Sequence, residues 1–218
     1  MVYWLTLLSD GGDFFNLFRY ITVRAGGAFL TSLLFGFVFG KPLINLLRRR
    51  QGRGQPIRSD GPEGHQSKAG TPTMGGALIL GALVVSTLLW ARLDNMHIWV
   101  VLFVTIGFGA IGFADDYAKV SKQTSAGVSG RVRLGLGFVI ALIAALVAAQ
   151  LHPEGLRLQV AVPVLKDTLV PFGILFFPFA MIVIVGTANA VNLTDGLDGL
   201  AVMPVMIAAA ALGGLAYA

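Results

Sequence analysis

Six stretches of this chain contain no Asp, Glu, Lys or Arg: residues 25–40, 69–91, 95–114, 134–153, 168–194 and 199–218. A helix needs about 20 apolar residues to cross the hydrocarbon core of a bilayer. The first stretch is short, but Tyr20, Ile21 and residues 42–47 extend it, with Lys41 snorkelling to the interface. The pattern predicts an all-α, polytopic transmembrane helical bundle forming one membrane domain over 1–218, with spans near 21–47, 69–91, 95–114, 134–153, 168–188 and 199–218. Charged residues make up 12% of the chain, against about 25% in a soluble domain, which excludes an ordinary cytosolic globule and a disordered chain. With no cysteine, thiolate metal sites and thiol nucleophiles are excluded as well.

The net charge of +5 does not point to nucleic acid, because the basic residues follow the membrane. With the N-terminus outside, the inner segments 41–68, 115–133 and 186–198 hold eleven of the sixteen Lys and Arg residues. The outer segments hold Arg19, Arg24, Arg92, Arg157 and Lys166. Residues 1–19 lack the basic start of a signal peptide, and Asp10 interrupts their apolar run. Their aromatics Trp4, Phe14, Phe15, Phe18 and Tyr20 suit an interfacial helix. Alternation over 158–164 predicts a short extended hairpin in an outer loop. The last span is still apolar at Ala218, so the chain is expected to be the N-terminal part of a longer one.

Polar groups gather on the inner side in three places. A basic, Gly-rich loop over 48–68 leads into Lys68-Ala-Gly-Thr-Pro-Thr-Met-Gly-Gly76. There Thr71 and Thr73 offer hydroxyls, and a helix N-terminus beside Lys68 makes an anion site. A plain capped helix start would use the same residues. The second place is the pair Asp115 and Asp116 at the inner end of the third span, followed by Lys119 and Lys122. Adjacent carboxylates repel, and a helix C-terminus disfavours them by about 0.3–1 kcal/mol each. A hydrated helix end beside the lysines would tolerate the pair, whereas metal or proton handling explains its placement. The third holds Asn189, Asn192, Thr194, Asp195 and Asp198 with no basic residue. Capping the sixth span accounts for one acid, not for two acids and two carboxamides. Such a group suits hydrated Mg²⁺ and a base or sugar. Acids and cations mixed at one membrane rim suit phosphoryl transfer to a lipid-borne phosphate. His97 and His152 are expected to be ordinary outer-interface residues. His65, near Lys68 in a Gly-rich loop, carries little signal.

Together these segments resemble the phospho-N-acetylmuramoyl-pentapeptide transferases of the polyprenyl-phosphate N-acetylhexosamine-1-phosphate transferase superfamily. The resemblance rests on residues 68–76, on Phe113-Ala-Asp-Asp-Tyr117 with Lys119, and on Asn192-Leu-Thr-Asp-Gly-Leu-Asp-Gly-Leu-Ala201. It implies transfer of phospho-MurNAc-pentapeptide from UDP-MurNAc-pentapeptide to undecaprenyl phosphate, giving lipid I and UMP with Mg²⁺, at the cytoplasmic face of the bacterial inner membrane. It also implies a ten-helix fold, with another Mg²⁺-ligating Asp and a His-rich loop beyond residue 218. A homodimer is the self-association to be considered. The implied catalytic residues are Lys68, Asp115 and Asp116. Substrate contacts fall to Thr71, Thr73, Lys119, Lys122, Arg133, Asn189, Asn192, Asp195 and Asp198, and metal contacts to Asp115, Asp116 and Asp195. Ala126 and Arg133 stand where the family usually has Lys; the second keeps the charge, the first removes it. The alternatives are a sister transferase for another UDP-N-acetylhexosamine and, in a different class, a membrane transporter. Transport usually needs ionisable groups near mid-membrane, and the span interiors here have none.

Overall fold

The computed structural model of the chain describes residues 1–52, 72–124, 127–162, 165, 168–195 and 200–217. Each of the six expected apolar stretches carries a helix: α1 (Ile21–Gln51), α2 (Gly76–Trp90), α3 (Met96–Lys122), α4 (Gly130–Leu151), α5 (Phe176–Thr194) and α6 (Val202–Tyr217). By length and composition, α1, α3, α4 and the segment Gly173–Thr194 are long and apolar enough to cross a membrane. The described α2 and α6 have 15 and 16 residues. At 1.5 Å per residue they reach about 24 Å at most, short of the ~30 Å hydrocarbon thickness.

Several boundaries differ from the sequence reading, each for a local reason. Helix α1 runs past residue 47 through Arg48, Arg49 and Arg50 to Gln51. Arginine is a good helix former, and three cations in the last turn complement the negative end of the helix dipole. Helix α3 likewise runs to Lys122, so Asp115 and Asp116 sit about two turns before its end rather than at it. The dipole penalty expected for them fades beyond the last turn. Helix α4 begins at Gly130, which brings Arg131 and Arg133 into its first turn. Residues 1–19 form two short 3₁₀ helices, Val2–Leu8 and Phe14–Arg19, in place of one continuous interfacial helix. Gly11, with φ of 99°, lies between them.

The chain divides into two compact units, Met1–Ile140 and Ala141–Ala218. In the first, α1 and α2 meet closely at one end. The Trp90 indole N–H donates to Thr31 Oγ1 at 2.9 Å, and a Cβ on Gly27 would fall 2.4 Å from the Trp90 ring. Only glycine lets that ring lie on the helix backbone. At the same end Arg24 and Arg92 lie over the Tyr3 ring, at 5.2 and 4.8 Å from its centroid. In the second unit β1 (Gln159–Ala161) pairs antiparallel with β2 (Leu169–Pro171), with Val160 opposite Val170. This is the hairpin predicted from the alternation.

Side-chain burial has the polarity of a membrane protein. Among the described residues no large side chain is fully buried, while Phe37, Leu34, Ile182 and Leu212 are exposed. Most of the buried positions are small, among them Ala82, Ser86, Ala141, Ala144, Ala145 and Ala149, with Leu102, Val185 and Asp115 the larger ones. In lipid, apolar side chains gain nothing by leaving the solvent, and small residues let helix backbones approach. Ser86 satisfies its buried hydroxyl by donating to the Ala82 carbonyl at 2.7 Å.

Candidate active site

The acid pair on α3 is held in a compact polar cluster within the first unit. Lys119, one turn on from Asp115, places Nζ 2.7 Å from Asp115 Oδ2 and 3.6 Å from Asp116 Oδ1. Acid followed by base at i,i+4 is the favourable order on a helix. Arg133 reaches in from the first turn of α4, 3.6 Å from Asp115 Oδ2. The second oxygen of Asp115 accepts the Val128 backbone N–H at 2.8 Å. Two carboxylates therefore face two cations, which answers the repulsion foreseen for adjacent acids.

That backbone bond depends on Gly127. A Cβ there would lie 2.2 Å from Asp115 Oδ1 and 2.9 Å from Lys119 Cε. The loop between α3 and α4 can wrap the carboxylate only without a side chain at this position.

The two acids are not equivalent. Asp115 is 6% exposed, and both its oxygens are engaged. Asp116 is more open, with its side chain 31% accessible. Its Oδ2 accepts the Thr73 hydroxyl at 3.0 Å, and among the described residues Oδ1 has only the long approach of Lys119. The segment preceding α2 is thereby tied to the acid pair through Thr73. Asp116 retains oxygen lone pairs for a ligand; Asp115 anchors the cluster.

The third motif belongs to the second unit. Asn189, on α5, donates its carboxamide N–H to the Val185 carbonyl at 2.8 Å. Asn192 is exposed. Thr194, the last residue of α5, donates to the Ala190 carbonyl at 2.8 Å. Asp195 follows the helix and is exposed, and among the described residues it forms no ion pair. Helix α6 begins at Val202, seven residues on, so neither Thr194 nor Asp195 caps it. An acid at a helix C-terminus without a cation is disfavoured, and a bound cation would relieve it.

Lys68, Thr71 and Asp198 lie outside the described residues, as do His65 and Ala126. Lys122 is exposed at the end of α3. Among the candidates in the first unit, the structure thus brings together Thr73, Asp115, Asp116, Lys119 and Arg133. Gln51, Gly127 and the Val128 N–H were not singled out by sequence reasoning. None of these left a signal of its own in the sequence. His97 and His152 make local contacts, with the Asn95 side chain and the Ala148 carbonyl.

As to metal, no group of three or more His, Asp or Glu assembles among the described residues. Mg²⁺ does not require one, since it keeps several waters and binds one or two carboxylates with substrate phosphates. Asp116 and Asp195 suit that chemistry as accessible hard oxygen donors. Asp115, already facing two cations, suits it less.

Comparison with known proteins bears on the family. The family model for glycosyl transferase family 4 matches residues 98–218, more than half of the chain. Phospho-N-acetylmuramoyl-pentapeptide-transferase signature 1 matches residues 68–80. A phospho-N-acetylmuramoyl-pentapeptide-transferase of Ruegeria sp. (strain TM1040) is 72% identical over 218 residues, covering all of this chain and 61% of the relative. The Ruegeria pomeroyi protein of that name is 71% identical with the same coverage. That of Maricaulis maris is 58% identical over 216 residues, covering 96% of this chain and 59% of the relative. The chain thus spans about three-fifths of the length of the curated relatives it matches. The acid pair, the segment over residues 68–80 and the Asn/Asp motif all fall within these matches, and the chain belongs to glycosyl transferase family 4.

Proposed function

We propose that the enzyme containing this chain transfers phospho-MurNAc-pentapeptide from UDP-MurNAc-pentapeptide to undecaprenyl phosphate, releasing UMP and forming lipid I. The observation that carries the proposal is the Thr73–Asp116–Lys119–Asp115 network. It joins the signature segment to a charge-balanced acid pair that leaves one carboxylate accessible. The names of the relatives support the same donor. The reaction runs at the cytoplasmic face of the bacterial inner membrane, where the positive-inside pattern puts these segments.

In the reaction an oxygen of the lipid phosphate attacks the sugar-linked phosphorus. A new P–O bond forms, the bond to the bridging oxygen breaks, and UMP leaves with that oxygen. A phosphate monoester has a second pKa of about 6, so at neutral pH the nucleophile is largely dianionic. Proton removal then contributes little, and the chain's main work is to place charge. Lys68 neutralises the pyrophosphate, and Asp116 orients the lipid phosphate. Lys119 and Arg133 keep the local field from repelling either phosphate. Asn189 and Asn192 hydrogen-bond the nucleotide. Mg²⁺ would supply charge neutralisation at the phosphates; Asp116 in the first unit, or Asp195 in the second, offers an accessible carboxylate to hold it.

The test is UMP release by the full-length enzyme in membranes. It should require UDP-MurNAc-pentapeptide, undecaprenyl phosphate and Mg²⁺ together. Equal turnover of UDP-GlcNAc would reassign the donor to a sister enzyme. UMP release without lipid, leaving a trapped aspartyl adduct, would replace direct attack with a two-step route. Thiol labelling that placed positions 68, 116 and 195 on opposite membrane faces would end the proposal altogether. A homodimer, the remaining expected partner, is checked by the mass of the detergent-solubilised particle.

A further inference from the structure

The last residue of α1, Gln51, makes a two-point amide pairing with the backbone of Thr73. Its Nε2 donates to the Thr73 carbonyl at 3.0 Å, and its Oε1 accepts the Thr73 N–H at 2.9 Å. The same Nε2 lies 3.5 Å from Met74 Sδ. Thr73 in turn donates its hydroxyl to Asp116 Oδ2 at 3.0 Å. The result is an unbroken relay from the end of one helix, through one residue of a non-helical segment, to the more accessible carboxylate on another helix.

The segment that Gln51 grips would not hold itself. Residues 72–74 have no regular structure; the Met74 carbonyl accepts the Ala77 N–H at 3.1 Å, but the Thr73 N–H and carbonyl take their partners from Gln51 rather than from a helix. Met74 has φ of 72°, a left-handed conformation that disfavours a residue with a Cβ and persists where the surroundings enforce it. A glutamine side chain suits the task because it offers one donor and one acceptor in the plane of a peptide group. Asn is one methylene shorter, and Glu has lost the donor.

We infer that Gln51 is a positioning residue that sets Asp116 through Thr73. It touches no reacting atom. By fixing the Thr73 backbone it fixes the direction from which the hydroxyl reaches Oδ2, and so which way the remaining lone pairs of Asp116 point. The inference deepens the transferase reading and rests on it for its kinetic arm alone.

The experiment is a double-mutant cycle in the full-length enzyme, with Gln51→Ala, Thr73→Val and the pair. Gln51→Ala should lower kcat about 10-fold, since small misplacement near reacting groups carries losses of that order. KM for the UDP-sugar should move less than about 2-fold, because no ground-state contact is removed. The double variant should be no slower than Thr73→Val alone. An unchanged kcat, a loss confined to KM, or fully additive losses would each overturn the inference. Should Gln51→Ala fail to fold, Gln51→Met keeps the length and removes the donor and acceptor without adding charge, and the same outcomes apply. A second arm needs no turnover. These 218 residues hold no cysteine, so a Thr73→Cys thiol stands alone among them, and its alkylation should quicken when Gln51→Ala is added. An unchanged alkylation rate refutes the clamp. If the wild-type enzyme releases no UMP, the reaction proposal fails, and the alkylation arm alone decides on Gln51.

Discussion

The acids on α3 and the acid that follows α5 meet the same problem in opposite ways. Asp115 and Asp116 stand inside a helix, with Lys119 and Arg133 alongside and a backbone N–H on Asp115. Asp195 stands at a helix end, exposed, with no ion pair among the described residues. The first group has brought its own counter-charge, so its geometry is set before any substrate arrives. The second has an unanswered charge that suits a cation arriving with the substrate. Within the first group the contrast repeats on a smaller scale: Asp115 is consumed by structure and Asp116 is left available.

The sharpest way to break this comparison is at Asp195. Asp195→Asn should reduce UMP release by about 100-fold or more while leaving the melting temperature of the purified enzyme unchanged, since among the described residues Asp195 forms no ion pair. A drop in stability matching the drop in activity would mean that Asp195 is structural after all. Asp116→Asn should follow, also with a large loss of kcat and little change in stability. Asp115→Asn should behave differently, destabilising the fold by about 1–3 kcal/mol because buried partners are left unsatisfied. If the two neighbouring variants give the same profile in thermal melts and in turnover, the division of labour is wrong.

Gly127→Ala is a milder probe of the same cluster. The added methyl would collide with Asp115 Oδ1, so the loop must withdraw its N–H from the carboxylate. About a 10-fold loss of activity is expected, together with a lower melting temperature. Wild-type behaviour would show that the Val128 contact is dispensable.

The smallest effect belongs to an exposed pair far from this chemistry. Arg92 lies 2.7 Å from Asp94, and its hydrogen bond holds the Asp94 carboxyl below the ordinary carboxylate range. A depressed folded-state pKa gives a contribution that is present at neutral pH. It is lost only as the pH falls through that lowered value. Arg92→Met should return the Asp94 titration upward, followed by carboxyl NMR in detergent, with turnover untouched. Exposed pairs contribute little to stability, and no shift in melting temperature is expected.

Much of this was legible in one dimension. Charge-free stretches place six helices because a bilayer accepts no unpaired backbone, and Asp115, Asp116 and Asp195 stand out because acids are rare where these sit. The helix ends were less legible. Arg48–Arg50 read as loop because they are polar, yet a helix can continue past the membrane wherever its residues tolerate it. Gln51 escaped notice because a single glutamine after three arginines has no pattern, and its partner Thr73 is 22 positions away in the chain.

By itself, then, the order of residues determined a lipid-embedded, mainly helical chain and the residue types of its chemistry, since hydropathy and charge act locally and need no knowledge of contacts. Tertiary structure alone decided which acid is anchored and which is the more open. That depends on where Arg133, Val128 and Thr73 come to rest around the pair, and hydrogen bonds reach only about 3 Å.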